Sequence, residues 1–379
     1  MLDFDNRELF DEKGSKLGFH TNDRIDSFNA DINLIIGRRA NGKSYSTLAF
    51  NCIKDFIDSD YKSQFAYIRR FDSEMSIIRK YIFNGMVENG WLEWYSKGKW
   101  NDIQYWQNCW YLRRINRDGE VEEKLSRPMA FSFCINTSGK AKGPDYVGIK
   151  TIVFDEFIPI NHTYAPHEIE NWQNLISTID RNRNNVKIYM IANTVSKECP
   201  HFDYYGIDPD VLEQGKIYIF KVGTKGKLAI EYCNDVGDVE TKESVYFNLE
   251  DEVGSMILGG GWQNRKFPAL PKNININIDE QTIFSVYIML REKLIRANFI
   301  VLDDVSTIYF ERVDDYKLDE DDLVYIDEEY TDSMLYKNVK VRFSPSDNIA
   351  RTVLKYLNDK RCFYDSDDTG EKIAYFASL

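Results

Sequence analysis

Residues 37–44, GRRANGKS, set two glycines, a lysine and a serine at the spacing Gly-x-x-x-x-Gly-Lys-Ser. A chain of this length and average composition would hold such a string by accident with a probability on the order of one per cent. Glycines let a loop turn so tightly that successive backbone N–H groups point inward and can cradle a phosphate at the N-terminus of the next helix. Lys43 could then reach the β- and γ-oxygens of a nucleoside triphosphate, and Ser44 could ligate Mg²⁺. A second string, TIVFDEF at 151–157, delivers Asp155 and Glu156 at the end of an apolar run. Asp155 could hold the same metal through its water shell, and Glu156 could serve as general base toward an attacking water. An acidic pair closing a strand is common alone; beside the glycine loop it argues for hydrolysis of a nucleoside triphosphate. No Asn-Lys-x-Asp string is present to read guanine, so ATP is the expected nucleotide.

These groups need elements to hold them. Apolar runs recur as DINLIIG (31–37), QFAYIRR (64–70), MAFSFCI (129–135), TIVFDEF and KIYMIANT (187–194). Several are apolar on successive positions, as buried parallel strands are. Helical spacing lies between some of them, in YSTLAFNCIKDFI (45–57) and NWQNLISTIDR (171–181). The alternation predicts an α/β sheet covered on both faces, with the glycine loop at a strand-to-helix junction. KIYMIANT ends in Asn193 and Thr194, which could sense a γ-phosphate or simply cap a strand-end turn. Arg181 and Arg183 follow a helical pattern. They could satisfy its last carbonyls or, in a ring, reach a neighbour's γ-phosphate. The lysines of NTSGKAKGPDY (136–146) sit on a glycine-bearing loop that could touch nucleotide or DNA, or stay solvated.

The chain has 379 residues, 43% hydrophobic and 14% aromatic, which suits a globular protein of two or three domains. Its net charge of -13 excludes a histone-like basic coat, so any nucleic-acid contact must be local. Six widely spaced cysteines without a Cys-x-x-Cys pair fit reduced thiols, and no apolar run approaches the length of a membrane span. A soluble, intracellular protein without a membrane partner is expected. The stretch 90–124 reads as an antiparallel hairpin or meander whose tryptophans pack among themselves or, with Lys97, Lys99, Arg113 and Arg114, stack bases.

The order GRRANGKS, YIRRF, GKAKGPDY leading into TIVFDEFI, LISTIDRNR and the strand end NTVS resembles the DNA-packaging ATPases of small tailed phages of the phi-29 type. The resemblance covers roughly residues 30 to 235. It implies a P-loop NTPase of the ASCE type with a parallel-type sheet, ATP and Mg²⁺ as cofactors, and a homo-oligomeric ring, pentameric in the best-known cases. Such rings stand at the portal of an empty capsid and drive double-stranded DNA inward. Carried onto this chain, it implies nucleotide binding by Gly37, Arg38, Arg39, Asn41, Gly42, Lys43, Ser44 and Tyr45, although the family places only one arginine in that loop. It implies metal ligation by Ser44 and Asp155, water activation by Glu156, a trans-acting arginine at Arg181, a second cross-subunit group at Lys142, and a coupling residue at Asn193.

The expected domains are an ATPase domain over 1–235, a linker subdomain over 236–275, rich in glycine and charge, and a C-terminal α/β domain over 276–379. Strands are expected at TIFSVYIML, ANFIVLDD and VSTIYFER, a helix at NIARTVLKYLNDK, and a solvated loop or edge in the acid-rich 313–332. Related large terminases carry an RNase H-like nuclease at this place. TIFSVYIML holds no aspartate, and Asp303 and Asp304 lack an evident partner, so the resemblance implies an RNase H-like domain without nuclease activity. It would dock on portal, capsid or a packaging RNA, the last made doubtful by its acidity. The protein would then work in the cytoplasm of the infected host, transiently at the portal vertex. A terminase-type nuclease or helicase, and a nucleotide-gated assembly factor that moves nothing, are the competing readings.

Overall fold

A computed structural model describes residues 2–141, 145–160, 163–234, 266–271, 277–290, 293–302, 304–314, 317–327 and 338–378. The chain divides into two compact units, one of Met1–Asn161 and Ala165–Gln263, the other of His162–Tyr164 and Asn264–Leu379. In the first unit the strands are β1 Ile32–Gly37, β2 Gln64–Arg69, β3 Asp102–Trp106, β4 Cys109–Ile115, β5 Val121–Lys124, β6 Ala130–Cys134, β7 Ile149–Asp155, β8 Lys187–Asn193, β9 Ile217–Val222 and β10 Gly226–Tyr232. They form one sheet in the order β3-β4-β6-β2-β7-β8-β1-β10-β9, with β5 on β4. The six strands from β6 to β10 in that path pair parallel. Of these, β2, β7, β8 and β1 are buried along nearly their whole length.

The expected parallel-type sheet is therefore a mixed one. Its edges are antiparallel hairpins, β3-β4-β5 on one side and β9-β10 on the other, because their connections are too short for a crossover helix. The strand β8 lies between β1 and β7, so the strand that precedes the glycine loop and the strand that ends in Asp155 are not direct neighbours.

Helices of this unit are α1 Asp23–Asp26, α2 Lys43–Leu48, α3 Lys54–Asp58, α4 Asp72–Ile78, α5 Asn84–Glu88, α6 Trp91–Tyr95, α7 Glu168–Asp180 and α8 Pro200–Tyr205. A π turn over Ala49–Ile53 joins α2 to α3, so the helix expected over 45–57 runs through with one widened turn. The stretch from 90 is not hairpin from its start. Trp91–Tyr95 is helical, which stacks Trp91 on Tyr95 with centroids 5.3 Å apart, and the hairpin begins only at Asp102. Trp91, Trp100 and Trp110 are buried with Phe56, Phe65 and Phe83 in the main core, so the tryptophans do pack on their own unit.

The second unit holds β11 Thr282–Leu290, β12 Lys293–Leu302, β13 Val305–Arg312, β14 Val324–Ile326, β15 Val339–Val341 and β16 Cys362–Tyr364, with α9 Ile278–Gln281, α10 Asn348–Asn358 and α11 Asp367–Ser378. Its sheet order is β15-β14-β11-β12-β13-β16. The first three strands are antiparallel, whereas β14 pairs parallel to β11 and β15 to β14. The acid-rich 313–332 is not only solvated loop. Its Val324, Tyr325 and Ile326 are apolar in a row and fully inside the sheet. The linker expected over 236–275 lies outside the described residues except 266–271, as do Asp303 and Lys142. Among the described residues no helix is long and apolar enough to cross a membrane.

Candidate functional site

Parallel strands put all their C-terminal ends at one edge, and a loop that leaves that edge into a helix gathers there. The register sets Gly37 beside Asn193 and Asp155 beside Ile191, so the ends of β1, β8 and β7 lie side by side. Two glycines make the loop possible for different reasons. A Cβ on Gly37 would come within 2.9 Å of the Cys233 Cβ, whereas Gly42 sits at a φ of +95°, where side chains are strained. The chain then enters α2 at Lys43.

Lys43 is 5% exposed and its ammonium is wrapped by the loop itself. It donates to the carbonyls of Gly37 (2.9 Å) and Arg38, to Asn41 Oδ1 (3.1 Å) and to Asn193 Oδ1 (3.3 Å). Burial pulls it down to about 8, against the opposing pull of Cys233 and Asp155. An amine held inside by weak carbonyl acceptors, at the mouth of a glycine turn, suits a polyanion that would replace those acceptors with charge. Next to it the Ser44 hydroxyl donates to Asp155 Oδ1 at 3.1 Å. A hydroxyl and a carboxylate in that contact form a hard-oxygen donor set of the kind Mg²⁺ takes.

Asp155 is 7% exposed and its second oxygen accepts from Tyr67 Oη at 2.8 Å and Arg69 Nη1 at 3.3 Å. The neighbouring Glu156 leaves the strand at a φ of 59° and is paired through Oε2 with Arg69 Nη2 at 2.6 Å. Burial works against the Arg69 charge, but Tyr67, Asp155, Glu156 and Glu74 outweigh it and hold the guanidinium firmly protonated. Arg69 thus spans both members of the acidic pair from the end of β2.

A cleft of about 450 Å³ is lined by Arg39, Ala40, Asn41, Gly42, Lys43, Ser44, Tyr45, Asp155, Glu156, Ile191, Ala192 and Asn193. The tertiary structure brings together most of the residues singled out by sequence. Gly37 closes β1 just behind the cleft, and Arg38 is 5% exposed and offers its carbonyl to Lys43 while Arg39 is exposed at the cleft's rim. Arg181 does not line the cleft. It is the residue after α7, in a left-handed conformation, and its N–H bonds the Ser177 carbonyl. Helix α7 runs back from the end of β7 toward the start of β8, and Arg183 beside it pairs at 3.0 Å with Asp145, four residues before β7 begins. Arg181 therefore stands at the strand-start edge, about 20 Å of helix away from its own glycine loop.

Sequence reasoning assigned no role to Tyr67 and Arg69, which hold Asp155 and Glu156, although both lie inside YIRRF. The signal was available in the two arginines that close an apolar buried strand, since charge at such a place needs a partner.

A family model described as podovirus DNA encapsidation protein (Gp16) matches residues 15–222. The DNA packaging protein of Bacillus phage phi29 is 29% identical over 202 residues, 53% of this chain and 54% of its own length. That of Bacillus phage B103 is 30% identical over 194 residues, 51% of this chain and 53% of its own. The chain spans about half the length of the curated relatives it matches. Among solved structures, the Phi-28 gp11 DNA packaging motor is similar with a TM-score of 0.53 at 16% identity, over 95% of this chain and 97% of that one. The bacteriophage Phi-29 viral genome packaging motor assembly gives 0.52 at 21% identity, over 94% and 98%. At those identities the likeness is one of fold.

Proposed function

Because the chain belongs to the podovirus DNA encapsidation (Gp16) family, we propose that it is an ATP-hydrolysing motor that drives double-stranded DNA into a preformed capsid as a homomeric ring. The observation that carries this reading is the contact of Ser44 Oγ with Asp155 Oδ1 at 3.1 Å, beside a buried Lys43 and a half-exposed Glu156. The loop N–H groups and Lys43 would bind the phosphates, and Ser44 and Asp155 would hold Mg²⁺. When bound, the metal would neutralise phosphate charge. Glu156 takes the proton of the attacking water once Arg69 yields its carboxylate, and Asn193, bonded to Lys43, couples the state of the phosphates to β8.

Arg181 stands too far from its own loop to serve it, which supports action on the nucleotide of a neighbouring copy; Lys142 is proposed beside it. A ring built on such shared sites, pentameric as in the phi-29 type, docks on the portal and capsid and acts in the infected host's cytoplasm. The proposed domains are the ATPase over 1–235, the linker over 236–275 and an RNase H-like docking domain over 276–379. Support for the last comes from a mixed sheet in which β11, β12 and β13 pair antiparallel while β14 and β15 follow parallel to β11. Ser285 stands mid-strand in β11 and donates to Asn298 Oδ1, and Asn298 in turn donates to Glu311, a carboxylate also taken up by Arg296. That supports docking without cutting.

The test is ATP turnover and capsid filling by wild type, Lys43→Ala and Glu156→Gln. Lys43→Ala is expected to lose nucleotide binding, and Glu156→Gln to bind ATP with turnover reduced about 10²- to 10⁴-fold. Static tethering of DNA to capsids without ATP-dependent shortening would instead favour an assembly factor, and nicking of plasmid DNA with Mn²⁺ would favour a nuclease.

A further inference from the structure

Behind the acidic pair lies a second charged group that the phosphate chemistry does not use. Arg70, the residue after β2, is 1% exposed, and Glu168, the first residue of α7, is 4% exposed. Arg70 donates Nε to Glu168 Oε2 at 2.7 Å and Nη2 to Oε1 at 2.9 Å. The same guanidinium donates Nη1 to the Glu156 carbonyl at 3.0 Å and Nη2 to the Phe157 carbonyl at 2.7 Å. Glu168 is held in turn by the Ala165 N–H at 2.8 Å and by His201 Nε2 at 3.0 Å, His201 being fully buried against Phe154, Phe157 and Trp172.

The fold alone does not call for this arrangement. A buried ion pair costs desolvation, and apolar side chains of the same volume often serve stability as well or better. What apolar side chains would not do is bind two consecutive main-chain carbonyls at the point where the chain leaves β7. Glu156 sits there in the left-handed region, which a non-glycine residue keeps only when its surroundings hold it. Arg70 holds it from the carbonyl side, beside the Arg69 contact to its carboxylate and the bond from the Phe157 N–H to the Ile191 carbonyl at 3.2 Å. The anchor of Arg70, Glu168, begins the helix that Arg181 follows, so one element links the clamp on the Glu156 main chain to Arg181.

We propose that Arg70, clamped by Glu168, is a positioning residue that fixes the main chain aiming the Glu156 carboxylate and ties it through α7 to Arg181. The proposal rests on the ATPase reading above. It gives the pair no contact with nucleotide, so the loss should fall on turnover and not on binding.

Full-length Glu168→Gln and Arg70→Lys are compared with wild type for affinity toward a fluorescent ATP analogue, for kcat and KM of ATP hydrolysis, and for melting temperature. Affinity and KM should stay within about twofold while kcat falls about ten- to hundredfold, the scale expected when a reacting group is displaced by an ångström. The double variant Arg70→Met with Glu168→Leu separates positioning from scaffolding, because it removes both charges together. Its melting temperature should recover relative to either single variant and its kcat should not. Wild-type-like kcat in a folded Glu168→Gln, or kcat that recovers with melting temperature in the double variant, overturns the proposal while leaving the ATPase reading standing. Absence of turnover in the wild type overturns both.

Discussion

Lys43 and Glu231 show how single buried charges are handled at the sheet's loop end. Lys43 is an ammonium taken from water and given only carbonyl and amide oxygens, so it is depressed, and an incoming polyanion would repay that cost. Glu231, on β10, is 2% exposed with Arg24 Nη1 at 3.4 Å, and its Oε2 has no hydrogen-bond partner among the described residues. Burial pushes its carboxyl up to about 7, with Arg24 opposing and Asp26 assisting. A raised carboxyl binds its proton more tightly folded than unfolded, so its contribution is fully present below about pH 4.5 and is lost as pH rises to about 7. Glu231→Gln should therefore match wild type near pH 4.5 and exceed it by up to about 3 kcal/mol above pH 7. Urea midpoints across that range check this, and a difference that does not change with pH would contradict it.

At the scale of elements, the inserted β3-β4-β5 meander extends the main sheet through β4 and β6 and roofs the aromatic core. Trp110 is its anchor. It is 1% exposed, meets Tyr67, Phe83 and Tyr105 edge-on, and donates its indole N–H to the Arg79 carbonyl at 2.8 Å. Trp110→Ala should cost about 3–5 kcal/mol in chemical denaturation. A loss below about 1 kcal/mol would mean the meander is not part of that core. Because Tyr67 also bonds Asp155, this packing connects the insertion to the site. The strands of the sheet were legible because buried parallel strands are apolar on successive positions. The hairpin β9-β10 was not read, since KIYIFKV alternates weakly and nothing local announces that β10 will pair with β1 from almost two hundred residues away.

At the scale of the molecule, a helix of thirteen residues separates Arg181 from the cleft its own chain forms. A site completed by a second copy follows from that placement under the proposed function. Mixing Arg181→Ala with Glu156→Gln, each inactive alone, should restore ATP turnover, because one subunit supplies the carboxylate and its neighbour the guanidinium. No recovery at any mixing ratio would remove the trans role. Under the proposed function a chain of net charge -13 grips DNA through a local basic surface, so DNA binding should weaken steeply with salt while turnover without DNA does not.

The sequence by itself determined the glycine loop, its lysine and serine, the acidic pair and the strand-helix alternation that carries them, because these depend on short-range geometry and on local apolar runs. Only the tertiary structure decided which charges meet. The order in which β2, β7, β8 and β1 lie side by side brings Arg69 to Asp155 and Glu156, Arg70 to Glu168, and Asn193 to Lys43. Each of those contacts joins residues about 90 to 150 positions apart, and no local rule of spacing can foresee a partner that arrives across a sheet.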